Sequence, residues 1–161
     1  MSLKSAGQMS YAVMPFGNVS VLWRNRRMVR IELNRTYGRR DRMLEEELAA
    51  VLRGQQVPFR LQPDFEALPE FCARVLRECV QVGPGRIATY RELAERVGSP
   101  YAARAVGQAL AANPFPLVVP CHRVIRSDMR LGGFTGGLHM KRRLLQIEGW
   151  RIASGNVVSR S

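Results

Sequence analysis

A cysteine followed directly by a histidine is the part of this sequence best suited to covalent chemistry. Cys121 and His122 stand within a Pro-Cys-His-Arg-Val run at residues 120–124. A thiol attacks as its thiolate, and a neighbouring imidazole and basic side chains such as Arg123 and Arg126 lower the pKa of a cysteine. The pair therefore predicts a nucleophilic Cys121. The alternative is a buried cysteine that acts as a small hydrophobic residue beside a surface histidine.

Prolines and glycines flank this pair and predict how it is held. Pro114 and Pro116 cannot continue a helix, and the apolar run at residues 117–119 predicts a short buried strand that Pro120 ends. The glycine-rich stretch at residues 132–137 lacks the Lys-Ser/Thr of a phosphate-binding loop. We expect it to form a flexible pocket wall, in which Phe134 offers a flat face for stacking.

Two short helices before the cysteine predict a helix-turn-helix. Thr89 and Glu92 fit a capping box, which places Tyr90 in the first turn of a helix that ends near Val97. The second helix is expected from residues 99–100 to about residue 112. The side chains on its outer face are small except for one arginine, so the helix backbone could closely approach a flat partner. This face contains Arg104, Gly107, Gln108 and Ala111. Packing against another helix through these small residues is the alternative.

The remaining elements predict an α+β chain of two parts. Residues 1–62 form the first part. From Ser10 they alternate in hydrophobicity and then show a helical period, which predicts a small antiparallel sheet of three strands, a helix that Asp41 caps and that runs to about Arg53, and a connector. Residues 63–161 are mainly helical. Helices are expected from Pro69 to residue 82, with Phe71, Val75, Leu76 and Val80 inward, and over residues 138–148. The last should expose Lys141, Arg142 and Arg143 and bury Leu144, Leu145 and Ile147.

Charge is the strongest signal in the composition. The net charge is +12, and only Lys4 and Lys141 among the 25 basic residues are lysines. From Arg96 to Arg143 the sequence contains eight basic residues and one acidic residue, Asp128. Arginine suits phosphate, so nucleic acid is the expected partner. No apolar run suggests a membrane span, and three cysteines with two histidines leave no plausible zinc site. We expect a reduced, cytoplasmic protein without a metal, or a nuclear one in a eukaryote.

The Pro-Cys-His-Arg-Val run resembles the active-site signature of the O6-alkylguanine-DNA alkyltransferases. The resemblance extends over the C-terminal half, from about Pro69 to Trp150, whereas the first sixty residues share only a general plan with the family's N-terminal lobe. It implies a ribonuclease H-like N-terminal lobe and a winged helix-turn-helix-like C-terminal domain that carries the active site. Phe134 departs from relatives that have Tyr at this position, so any hydroxyl contact there would be lost.

The same resemblance implies a role for each candidate residue. Cys121 takes the alkyl group, His122 passes its proton through water towards Glu148, and Tyr90 protonates the departing guanine. Arg104 enters the duplex in place of the damaged nucleotide, and Asn113 braces the turn before the active site. The wider set implied for DNA binding is Arg104, Tyr90, Gly107, Ala111 and Arg123. The set implied for the guanine pocket is Asn113, Val124, Phe134, Thr135 and Gly136.

The implied activity is direct repair of double-stranded DNA that contains O6-alkylguanine, extended to O4-alkylthymine. A thioether resists hydrolysis, so a monomer without any cofactor would act once and end as an inactive S-alkylcysteine protein.

Two other functions stay open. A helix-turn-helix sensor would bind lesions without chemistry, and an intact Cys121-His122 pair speaks against it. A cysteine hydrolase using Cys121, His122 and Glu148 would need a base that is adjacent to its nucleophile in sequence, which is an awkward geometry. Turnover of an ester would favour it.

Overall fold

A computed structural model describes residues 7–161, and the chain divides into two compact units. One contains the residues up to Asp64 together with Pro114–Val118, and the other contains Phe65–Asn113 and Val119–Ser161. Residues 1–6 of the expected 1–62 lobe lie outside the described part. The division differs from the expected one by two residues and by the segment 114–118. This segment belongs with the first unit because the Pro114 carbonyl accepts a hydrogen bond from the Ile31 amide at 2.8 Å.

The first unit is built on a four-stranded sheet with the order β3-β2-β1-β4. Its strands are β1 (Gln8–Met14), β2 (Gly17–Arg24), β3 (Arg27–Leu33) and β4 (Arg39–Arg40). The three expected strands pair antiparallel, but β4 was not expected and runs parallel to β1. The sheet is therefore mixed rather than purely antiparallel. A two-residue strand is too short to show any periodicity in the sequence.

A bulge in this sheet changes which residues of β3 face the core. The register shifts between Leu22 and Trp23, so that Trp23 pairs with Met28. Met28 and Ile31 are buried as a result, whereas Val29 is only half-buried. A bulge inserts one residue and moves the alternation onto the other face.

The helix of the first unit follows its sequence signals. Helix α1 covers Arg42–Leu52, and the Asp41 carboxylate accepts a hydrogen bond from the Leu44 amide at 3.0 Å. Leu44, Leu48 and Val51 are buried. The expected cap is confirmed.

The second unit is mainly helical and carries two small sheets. Its helices are α2 (Glu70–Val80), α3 (Tyr90–Arg96), α4 (Ala103–Ala111) and α5 (Leu138–Ile147). Strand β5 (Ala88–Thr89) pairs parallel with β6 (Val124–Ile125), and β7 (Trp150–Ala153) forms an antiparallel hairpin with β8 (Asn156–Arg160). Both sheets were missed. The hairpin is held by a cluster of buried residues that comprises Ile125, Leu131, Leu145 and Val157.

Several expected details of this unit are wrong. Helix α4 begins at Ala103, because residues 99–102 form a turn closed by the Ala102 amide and the Ser99 carbonyl. On α2, Val80 is exposed and Cys79 is buried in its place. On α5, Lys141 is buried and Ile147 is 52% exposed, the reverse of the expectation.

The apolar run before the cysteine is buried as expected, but it is not a strand. Leu117 has φ +75°, and residues 117–118 form a turn. Three prolines, at 114, 116 and 120, remove the amides that a strand would need for pairing.

The fold class is mixed, with a small sheet and a helix in one unit and packed helices in the other, and the α+β expectation is confirmed at that level. Over residues 7–161, no helix combines the length and the apolar character required to cross a bilayer.

Candidate active site

Cys121 lies at the wall of a cavity in the second unit. The residue begins a single 3₁₀ turn over Cys121–Arg123, and the turn closes when the Arg123 amide donates to the Pro120 carbonyl at 2.9 Å. The cysteine is 6% exposed. The cavity has a volume of about 430 Å³ and is lined by residues from α3, α4, the cysteine turn and the glycine-rich loop, namely Tyr90, Gly107, Leu110, Ala111, Cys121, Arg126, Gly132, Gly133, Phe134 and Thr135. Its size is typical of a small-molecule site.

The imidazole beside the cysteine is fixed by a carboxylate. Nε2 of His122 lies 2.8 Å from Oε1 of Glu148, and the histidine is fully buried. Burial lowers the pKa of His122, although the contact with Glu148 acts in the opposite direction. An ionised carboxylate accepts the hydrogen of Nε2, which leaves the lone pair on Nδ1. Nδ1 is buried and has no hydrogen-bond partner among residues 7–161. The neutral ring can therefore accept a proton at Nδ1.

Glu148 is hydrogen-bonded to several groups of this site. Its carboxylate accepts hydrogen bonds from Arg123, at 2.8 Å from Nη2 and 3.0 Å from Nε, and from the Gly85 amide at 3.1 Å. Burial alone would raise the pKa of Glu148, but the hydrogen bonds from His122 and Arg123 outweigh it and lower this pKa to about 2. The carboxylate is therefore ionised at neutral pH. The expected contact between Glu148 and His122 is present; its role in catalysis stays a prediction.

Arg123 does not have the exposure that a DNA-binding residue needs. The side chain is buried, and besides Glu148 it donates to the Val82 carbonyl at 2.8 Å through Nη1. The expectation that Arg123 contacts DNA is wrong, because its guanidinium neutralises an internal carboxylate. The sequence could not show this pairing, since the two residues are 25 positions apart.

The pKa of Cys121 is also shifted in the direction opposite to the expected one. Burial raises it, while a hydrogen bond from Asn113 and the charge of Lys141 offset part of the rise. Nδ2 of Asn113 lies 3.4 Å from Sγ and 3.3 Å from the Val119 carbonyl, so it braces the turn before the cysteine. The expected lowering by neighbouring bases fails because His122 is neutral and Arg123 is already paired. The thiol is protonated at rest and needs a base to become a nucleophile.

A buried lysine behind the cavity was missed. Lys141 is fully buried, and its Nζ donates to the Val124 carbonyl at 2.6 Å and to the Gly133 carbonyl at 3.1 Å. Burial lowers the pKa of Lys141 to about 8. The ammonium thus joins β6 to the glycine-rich loop. Helical spacing offered a signal, because Lys141 shares one face of α5 with Leu144, Leu145 and Glu148.

The position of the Tyr90 side chain depends on a glycine in the glycine-rich loop. Gly132 has φ +71°, and a Cβ at this position would lie 2.7 Å from the Tyr90 hydroxyl oxygen. A side chain at Gly132 would therefore displace the tyrosine. Burial raises the pKa of Tyr90, so the phenol keeps its proton at neutral pH. At Gly107 an added Cβ would meet the same ring at 3.8 Å, an ordinary contact.

Only some of the residues expected in the guanine pocket line the cavity. Phe134 and Thr135 line the cavity, and the Phe134 ring meets the His122 ring edge to face with centroids 6.4 Å apart. Asn113, Val124 and Gly136 are buried and do not line it. On α4, Arg104 and Ala111 are exposed and Gly107 is half-buried. A second cleft beside the cavity, of about 580 Å³, contains Arg91, Arg104 and Arg126.

Comparisons with known proteins find relatives in both sequence and structure. A sequence model of the 6-O-methylguanine DNA methyltransferase DNA-binding domain matches residues 70–150. A methylated-DNA--protein-cysteine methyltransferase of Methanothermobacter thermautotrophicus is 44% identical over 107 residues, which are 66% of this chain and 60% of that protein. A Sulfurisphaera tokodaii protein of the same name is 37% identical over 66% of this chain and 67% of its own length. The chain thus spans about three fifths of the length of the first of these relatives.

The structural similarity covers more of the chain. The Mycobacterium tuberculosis O6-methylguanine methyltransferase crystal structure matches with a TM-score of 0.74 and 28% identity, over 89% of this chain and 93% of that one.

Proposed function

Because the chain belongs to the 6-O-methylguanine DNA methyltransferase family, we propose that it repairs DNA by moving an alkyl group from O6 of guanine to Cys121. One observation carries the proposal. The thiol lies at a cavity wall beside a neutral histidine, whose Nε2 is bound to an ionised carboxylate and whose Nδ1 is left to accept a proton. A cysteine that served only as packing would need neither the cavity nor the His122–Glu148 contact.

Access to the lesion requires the nucleotide to leave the duplex. O6 of a stacked guanine is out of reach of a sulfur atom at a cavity wall, and unstacking one nucleotide costs a few kcal/mol. Helix α4 supports this step, because Arg104 is exposed and the neighbouring small residues Gly107 and Ala111 let the duplex come close. We assign Arg104 to the gap that the nucleotide leaves. A side-chain wedge of this kind offsets part of the unstacking cost.

The transfer is a displacement at the alkyl carbon. His122 takes the proton of the Cys121 thiol, directly or through a water molecule, and Glu148 stabilises the imidazolium that forms. The thiolate forms a bond to the alkyl carbon, and the bond from that carbon to O6 breaks with its electron pair on guanine. The Tyr90 phenol then protonates the departing base. The phenolate regains a proton from water and the His122 imidazolium releases one to water, so that the net reaction moves one proton from sulfur to guanine. The product is a thioether, which nothing in the cavity can reduce or hydrolyse, so each protein molecule reacts once.

We also propose a ribonuclease H-like character for the first unit, a winged helix-turn-helix-like character for the second, and action as a monomer on double-stranded DNA. Solved relatives support a DNA partner, since a Mycobacterium tuberculosis protein with a TM-score of 0.73 and 30% identity was crystallised in complex with DNA. A DNA substrate implies a cytoplasmic or, in a eukaryote, nuclear protein. Neither a cofactor nor a metal enters the steps, and O4-alkylthymine is a second expected substrate.

The stoichiometry of transfer tests the proposal against its alternatives. Duplex DNA with radiolabelled O6-methylguanine, in large excess over protein, should label the protein to one methyl group per molecule and then stop. Continued release of methanol or repeated turnover of an ester substrate would favour the cysteine hydrolase. Tight lesion binding with no label on the protein would favour the sensor.

A further inference from the structure

The cavity beside Cys121 is neutral except for one side chain. Of the residues that line it, only Arg126 carries a charge at neutral pH, because Tyr90 and Cys121 both have a raised pKa and the others are glycine, threonine or apolar residues. No carboxylate lines this cavity. A negatively charged group in the cavity would therefore meet a cation and no lining anion.

Arg126 is held in place by a turn. Its amide donates to the Arg130 carbonyl at 2.9 Å, and its carbonyl accepts from the Met129 amide at 3.0 Å. Through the side chain, Nε and Nη2 donate to the Asp128 carboxylate at 3.2 and 3.1 Å. This contact uses one edge of the guanidinium. The Nη1 hydrogens on the other edge have no acceptor among the described residues.

The Asp128 carboxylate reduces the field of Arg126 without cancelling it. It lies 3.8 Å from Arg130 as well, so the group of Arg126, Asp128 and Arg130 keeps a net charge of +1. Asp128 lines the neighbouring cleft and not the cavity of Cys121. The Arg126 side chain is 56% exposed, which limits the strength of any ion pair that it forms.

We propose that Arg126 makes guanine adducts with a terminal carboxylate, such as O6-carboxymethylguanine, better substrates than neutral adducts of the same size. The inference rests on the proposed function. The Cys121 thiolate attacks the methylene carbon, the bond from this carbon to O6 breaks with its electrons on guanine, and the thiol proton ends on guanine. The products are S-carboxymethylcysteine and guanine. The adduct carboxylate is desolvated on entry, and the Nη1 edge of Arg126 offsets that cost.

A DNA phosphate is the other anion that Arg126 could bind. The same side chain lines the second cleft together with Arg91 and Arg104, where the backbone of a bound strand would lie. A phosphate contact would favour every duplex substrate equally, whatever its adduct carries. A contact with the adduct would favour only the carboxylate. The two sources are therefore separated by comparing adducts of equal size on one oligonucleotide.

The experiment measures second-order transfer rates of the whole protein and its variants on three duplexes. These carry O6-methylguanine, O6-carboxymethylguanine or the neutral, nearly isosteric O6-carbamoylmethylguanine. The informative quantity is the rate ratio of carboxymethyl to carbamoylmethyl within each variant, since partial misfolding affects both rates alike. We expect Arg126→Gln to lower this ratio about threefold to fivefold, the upper part of the range for a partly exposed ion pair. Arg126→Lys should restore most of the ratio.

Arg130→Gln is the matched control, because Arg130 touches the same Asp128 but does not line the cavity. Its loss weakens the field of the group but leaves the Arg126 guanidinium at the cavity, so its ratio should fall less than that of Arg126→Gln. An unchanged ratio in Arg126→Gln would overturn the inference, and so would an equal slowing of all three duplexes, which identifies a phosphate contact. A native protein that fails even on O6-methylguanine would overturn the proposed function itself.

Discussion

The Nζ atom of Lys141 lies 2.6 Å from the carbonyl oxygen of Val124, in the interior of the second unit. A second bond of this ammonium, to the Gly133 carbonyl, connects the strand that follows the cysteine to the glycine-rich loop. An unpaired charge at this depth would be costly. The two carbonyls replace its water, and the lysine joins the buried strand β6 to the glycine-rich loop that lines the cavity.

Lys141→Met should therefore loosen the cavity. The variant keeps the length of the side chain but loses both hydrogen bonds, and we expect alkyl transfer to fall about tenfold or more, as when a buried charge-assisted contact is lost. Lys141→Arg should recover part of the rate. The measurement is single-turnover transfer to each variant, and equal rates in native protein and Lys141→Met would contradict the role.

The pH dependence of stability provides an independent check on Lys141. Its pKa in the folded protein, about 8, is below the usual 10.5, so the unfolded chain binds more protons between these values. Stability from this group therefore rises as the pH increases from 8 to 10.5 and is constant below 8. The free energy of unfolding of Lys141→Met, measured in urea, should lack this rise relative to native protein. Parallel curves would show that the lysine is not desolvated.

Glu148→Gln should change the acid limb of the stability curve. The pKa of Glu148 is lowered to about 2, so its contribution is present above about pH 4.5 and is lost as the pH falls towards 2. At neutral pH the variant leaves Arg123 buried without its counter-charge, which costs about 3 to 5 kcal/mol. Chemical unfolding at several pH values should show native and variant converging in acid. A constant difference down to pH 2 would contradict the lowered pKa.

Gly132→Ala should slow transfer by moving Tyr90. The substitution places a Cβ 2.7 Å from the phenol oxygen on a backbone with φ +71°, which side chains rarely adopt. We expect a loss of about 1 to 2 kcal/mol of stability and a larger loss of rate. Gly133→Ala is the control, because a Cβ at residue 133 meets nothing within 4 Å. Equal rates in the two variants would show that the position of Tyr90 does not limit transfer.

Arg104→Ala should separate recognition of the duplex from chemistry. The residue is exposed on α4 and does not line the cavity, so transfer from free O6-benzylguanine should change little. Transfer from a duplex should fall by about tenfold or more, because the gap in the stack loses its wedge. Arg143→Ala, an exposed arginine on α5, should leave both rates as they are. Equal losses on both substrates in Arg104→Ala would remove the insertion role.

Local signals in the sequence predicted local structure well. The Asp41 cap and the Thr89–Glu92 capping box are both present, because a cap depends on residues three positions apart. What failed depends on distant partners. Arg123 and Lys141 looked like surface cations, yet each is buried by groups that lie far away in sequence, Glu148 for the first and Val124 for the second. The charge of a side chain alone predicts that it is exposed, and only the fold shows which partner groups allow it to be buried.

The short strands were missed for a related reason. Strands β4, β5 and β6 contain two residues each, which is below any period that a sequence can show. The predicted strand at residues 117–119 failed because burial and strand geometry are separate properties. The apolar residues there are buried, while the prolines around them prevent pairing.

The proposed reaction places the alkyl group on the Cys121 sulfur. Intact-protein mass spectrometry after incubation with an O6-methylguanine duplex, followed by peptide mapping, shows where the group resides. Native protein should gain the mass of one methyl group, located on Cys121 and not on Cys72 or Cys79, and Cys121→Ala should carry no adduct. Native protein of unchanged mass, or a methyl group located on another residue, would contradict it.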